Sequence, residues 1–78
     1  MRTSSFEEEV KKAVEIMKEK GIKEATLGDV QSVAVLHLGK RSLIYMHNFK
    51  LWFKFFVQSI EQQGLGKYDK VRQVVVLK

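Results

Sequence analysis

Lys40, Arg41, Lys50 and Lys54 stand in residues 40–54 without one acidic residue among them, and Lys67, Lys70, Arg72 and Lys78 follow in residues 64–78 against a single Asp69. Ammonium and guanidinium groups in such blocks do one kind of chemistry well. They meet phosphates and release the counterions condensed around a nucleic acid, with no need to read a base. Residues 1–20 carry five charges of each sign, so the net +5 lies in the second half of the chain. That asymmetry suits a protein with one anion-facing side, although cation blocks also serve simply as solvated surface.

Other chemistry finds little to work with. There is no cysteine, hence no disulfide and no thiolate metal site, and His37 and His47 alone are too few for a structural zinc site. No Ser-His-Asp, paired-carboxylate, HExxH, phosphate-loop or dinucleotide pattern occurs, so the chain reads as a non-enzyme with no cofactor, no metal and no small-molecule substrate. The N-terminus MRTSSFEEEV lacks the apolar core of a signal peptide, and no apolar run approaches the roughly 18 residues that a membrane span needs. The expectation is a soluble intracellular protein, cytoplasmic or associated with a nucleoid or nucleus, with no membrane partner.

The elements that position the cations follow from glycine punctuation and apolar spacing. A chain of 78 residues without proline supports one domain over residues 1–78, and such a domain buries only roughly 60 to 65% of its unfolded surface. Ser5 with Glu8 three residues on reads as a capping box. Phe6, Val10, Ala13, Val14 and Met17 then recur at helical spacing, predicting a first helix over Phe6–Lys20 that Gly21 stops. Thr26 with Asp29 caps a second helix, Leu27–His37, with Leu27, Val30, Val33, Ala34 and Leu38 facing inward. The valines of QSVAVLHL leave a strand reading open.

The third helix is expected from Ser42 to Gln63, stopped by Gly64, and residues 40–60 hold six of the chain's eight aromatics. Steps of about 100° per residue gather Tyr45, Phe49, Trp52, Phe53, Phe56 and Ile60 into one core stripe. The opposite face collects His47, Lys50, Lys54, Gln58 and Glu61, basic in its first half. A leftover strip, Ile44, Leu51 and Phe55, lies where a single core does not reach and is expected to form a second packing layer or an interface. The tail GLGKYDKVRQVVVLK changes period: GLG and KYDK read as a turn and VRQVVVLK as an edge strand. That strand can pair with IKEAT at 22–26, with a short strand around Leu65, or with its own copy. An uncovered VVVL edge invites self-association. The fold class is therefore α+β and mostly helical, three helices followed by a C-terminal β-strand or short β-hairpin.

This order of elements resembles the winged-helix branch of the helix-turn-helix superfamily. LGKRS at 38–42 looks like the turn between the two helices of such a unit, and QQGLGKY is similar to the exit from a recognition helix into a wing. The resemblance spans nearly the whole chain. It implies that Lys40, Arg41, Ser42, His47 and Lys50 lie at the start and outer face of a recognition helix and that Lys67, Lys70 and Arg72 lie in the wing. Arg41 then suits a bidentate base contact, Asn48 suits adenine if turned outward, and Ser42 can offer a phosphate its hydroxyl or serve only as a cap.

Two functions follow as expectations. The first is a small nucleic-acid-binding protein that holds duplex DNA through Lys40, Arg41, Ser42, His47, Lys50, Lys54, Lys67, Lys70 and Arg72, as a transcriptional or chromosomal factor and as a homodimer. The second is a protein-interaction subunit that joins a larger complex through Ile44, Leu51, Phe55 and the C-terminal strand. Base stacking on single strands needs exposed aromatics, and the spacing assigns Tyr45 and Trp52 to the core instead.

Overall fold

The computed structural model describes residues 5–39 and 48–78. They form α1 (Ser5–Glu19), β1 (Glu24–Thr26), α2 (Leu27–His37), α3 (Asn48–Gln62), β2 (Gly66–Asp69) and β3 (Val74–Leu77). The result is an α+β, mostly helical fold with one antiparallel sheet of order β1-β3-β2.

Local rules account for the helices. In α2 the Thr26 hydroxyl accepts from the Asp29 amide at 3.2 Å while the Asp29 carboxylate accepts from the Thr26 amide at 3.0 Å, satisfying two orphan donors at once. QSVAVLHL is therefore helical, because the cap and the inward row Val30, Val33 and Ala34 outweigh the β-branched content. Leu27 departs from expectation and is 41% exposed. At the end of α3, Gly64 adopts φ 71° and the Leu65 amide donates back to the Ile60 carbonyl at 2.9 Å, which turns the chain into β2.

The core is shared by all elements. Val10, Ala13, Val14 and Met17 of α1, Phe49, Phe56 and Ile60 of α3, and Val75 and Leu77 of β3 are buried together. Trp52 and Phe53, expected inside, lie half-buried at the margins of this stripe. They extend an aromatic row in which Trp52 stacks on Phe56 at 5.0 Å and Phe53 meets Tyr68 edge-on at 5.8 Å.

The tail corrects two expectations. The stretch around KYDK is not a turn: Gly66–Asp69 is a strand, paired Gly66↔Leu77 through Asp69↔Val74. Its turn lies later, where Asp69 Oδ1 accepts the amides of Val71 and Arg72 at 3.0 and 3.1 Å and Gln73 takes φ 55°. Gly66 permits the pairing, because a Cβ there would lie 2.3 Å from the Val76 carbonyl oxygen. VVVL is not an edge strand either. It is central, with β1 on one side (Glu24↔Val76, Ala25↔Val75, Thr26↔Val74) and β2 on the other. Both intramolecular pairings foreseen for it are used, which covers its two edges.

Candidate nucleic-acid interface

Of the cations expected at the interface, Lys50, Lys54, Lys67, Lys70 and Arg72 lie within the described residues, and all five are exposed. Lys40, Arg41, Ser42 and His47 lie outside them, as do Ile44, Tyr45 and the expected start of the third helix.

The buried stripe Phe49, Phe56 and Ile60 fixes the rotation of α3. At about 100° per residue, Lys50, Lys54, Val57 and Glu61 fall on one flank of that stripe and Leu51, Phe55, Ser59 and Gln62 on the other. The first flank turns toward the hairpin. Phe53 packs on Tyr68, and the Glu61 carboxylate accepts the Tyr68 amide at 3.2 Å. Tyr68 is thus a packed strand aromatic, and its outward amide on the free edge of β2 is satisfied by α3. Lys50 and Lys54 consequently sit on the side of α3 that faces the hairpin, in which Lys67 lies on the outer face of the sheet, away from α3, and Lys70 lies in the turn. None of these four lysines has an acidic group within ion-pair distance among the described residues.

Arg72 behaves differently. Its Nη1 donates to Glu24 Oε2 at 2.9 Å and its Nη2 pairs with Glu24 Oε1, a bidentate contact between the turn and β1. The Glu24 hydrogen bond, then its charge, raise the guanidinium pKa further above an already high value. Glu24, Val76 and Lys67 form one cross-strand row on the sheet face away from Ala25 and Val75, so the arginine reaches back along that outer face. Arg72, expected as a phosphate ligand, pairs with Glu24 through both terminal nitrogens and so ties the turn to β1. Nothing in the spacing of two residues 48 apart signalled the pair.

The other flank of α3 turns toward α1. Leu51 is 58% exposed and Phe55 49% exposed, as the leftover strip requires. Beside Phe55 lies a shallow groove of about 410 Å3 between α3 and α1, with the Phe6 and Trp52 rings edge-on at 6.3 Å at one end and Glu7 on its rim. Ser59 in its floor is buried and was not foreseen. The Gln63 amide donates to Ser59 Oγ at 2.8 Å and to the Glu7 carbonyl at 3.3 Å, tying α3 to α1.

Among the described residues no cluster of three or more His, Asp or Glu side chains is placed to hold a metal ion, and no helix is long and apolar enough to cross a membrane. In comparisons with protein-family models, curated proteins and solved structures, nothing matches this chain.

Proposed function

We propose that this protein binds duplex DNA through the lysine flank of α3 and the β2–β3 hairpin. The observation that carries the reading is the set of four exposed lysines, Lys50, Lys54, Lys67 and Lys70, without acidic partners among the described residues, against residues 1–20, whose five positive and five negative charges balance. Lys40 and Arg41 precede the same helix in sequence and add to its charge. Each lysine that meets a phosphate contributes through counterion release, and ammonium groups on a helix flank and a neighbouring hairpin grip two stretches of backbone without sequence reading. Two further features support a winged-helix type of reader. The element order helix, strand, helix, helix, hairpin with β3 between β1 and β2 agrees with what the sequence resemblance implies, and the hairpin packs directly on α3. Arg72 is left out of the contact set.

The test is direct titration of a labelled duplex with purified protein over a range of salt. Binding that weakens steeply with salt is expected, and Lys50→Ala/Lys67→Ala/Lys70→Ala should lower the slope of log affinity against log salt by about 2.7, three phosphate contacts at about 0.9 each. A second reading, a subunit of a larger protein assembly, has its own support in the exposed Leu51 and Phe55. In that case the triple variant leaves assembly intact.

A further inference from the structure

The groove between α3 and α1 has two kinds of lining. One end is made of rings: Phe6 and Trp52, edge-on at 6.3 Å, with Phe55 beside them and 49% exposed. The other end is polar. Gln58, Ser59 and Gln62 follow Phe55 along α3, and Glu7 of α1 stands at the level of Ser59, where Gln63 donates to the Glu7 carbonyl. The Ser59 hydroxyl is already bonded to Gln63. The Gln58 and Gln62 amides and the Glu7 carboxylate have no hydrogen bond or ion pair among the described residues. At about 410 Å3 the groove falls within the roughly 300–1,000 Å3 of small-ligand clefts.

We propose that this groove holds one unpaired nucleobase of a single nucleic-acid strand. A base offers what the lining can meet: a π face for a ring, and an edge that carries hydrogen-bond donors and acceptors. A carboxamide has one acceptor oxygen and two N–H donors, so Gln58 and Gln62 match such an edge, while the Glu7 carboxylate accepts from a base N–H. An aliphatic side chain from another protein would suit the rings alone and would cover three polar groups without pairing them, at a cost in free energy. Charge then sets which part of the strand enters. Lys54 neighbours Gln58 one turn away on α3, on the outer side of the groove, and Glu7 stands across it on α1. Phosphates are drawn to the lysine and kept from the carboxylate, so the neutral base is the part that goes in. The site does not rest on the duplex reading, and its test contains no duplex.

Trp52 is the one tryptophan of the chain, so its fluorescence reports the groove directly. The probe is a short thymidine strand, which does not pair with itself, set against an abasic strand of the same length and the same phosphates. At low salt the thymidine strand should quench Trp52 and the abasic strand should not. Phe55→Ala should weaken thymidine-strand binding by about 5- to 100-fold, the worth of one stacked base, with an unchanged helical circular dichroism spectrum. Gln58→Ala/Gln62→Ala should weaken it by a smaller factor, and Lys54→Ala should lower the salt slope by about 0.7. Leu51→Ala removes an exposed apolar side chain of the same helix that does not line the groove, and should bind as wild type does. Absence of quenching, equal quenching by the abasic strand, or a Phe55→Ala variant that binds as tightly as wild type overturns the proposal and leaves the groove to a protein partner. A loss in Leu51→Ala equal to that in Phe55→Ala overturns the assignment of the site. Free thymidine that binds as tightly as the strand overturns the assignment to a single strand.

Discussion

The two flanks of α3 are cut from one helix and differ in what the rest of the fold brings to them. On the hairpin side the neighbours are polar or aromatic, and each potential counter-charge is spent: Glu61 holds the Tyr68 amide, Asp69 holds the turn, and Glu24 holds Arg72. The lysines there are left to solvent. On the α1 side the neighbours are Phe6, Trp52 and a buried Ser59, the internal polar groups are paired, and Leu51 and Phe55 remain uncovered. A binding surface arises as much from what intramolecular partners consume as from what the sequence supplies. Eight cations sit in the basic half of the chain, and one of them, Arg72, has both terminal nitrogens bound to a glutamate on a distant strand.

Disturbing the stripe between the flanks should have the largest effect. Phe56 is fully buried among both aromatic rows, so Phe56→Ala is expected to cost about 3–5 kcal/mol, enough in a domain this small to bring the urea midpoint close to zero and abolish both surfaces together. Gly66→Ala attacks the hairpin side alone. The new methyl would collide with the Val76 carbonyl, a misfit worth about 1–3 kcal/mol. Urea titration should show the loss, and DNA affinity should fall with it. Thr26→Ala removes half of a reciprocal cap and should cost about 1 kcal/mol by the same measurement, leaving both flanks unchanged. The smallest effect expected is that of Arg72→Ala on DNA: an affinity within about twofold of wild type, where a lysine-flank change acts through counterion release. A loss equal to that of Lys67→Ala would return Arg72 to the contact set and erase the contrast with the free lysines.

Much of this geometry was legible in the residues. The apolar spacing of α1, the capping box of α2 and the aromatic stripe of α3 each carry their own local signal, and the helix ends fall within a residue of expectation wherever they are described. The strip Leu51 and Phe55 also followed from periodicity alone, since a residue about 100° or more from the stripe has no core to meet. The strand within KYDK did not. Locally, GLGKYDK is rich in turn formers. It becomes a strand through long-range terms that no short window contains: pairing with VVVL, Tyr68 against Phe53, and a close approach that Gly66 alone tolerates. VVVL read as an edge because its two partners, IKEAT and a strand near Leu65, are each short and stand in the sequence as alternatives, whereas both pair with it. Arg72 and Glu24 meet only through the register of β1 on β3, a property of the sheet and not of either segment.

The central claim is that the lysine flank and hairpin hold duplex DNA by phosphate contacts. Its most direct test is the affinity for one labelled duplex measured at several salt concentrations. The account predicts binding at low salt with log affinity falling linearly against log salt, and a slope shallower by about 2.7 in Lys50→Ala/Lys67→Ala/Lys70→Ala. No binding at low salt, or an affinity indifferent to salt, would contradict it.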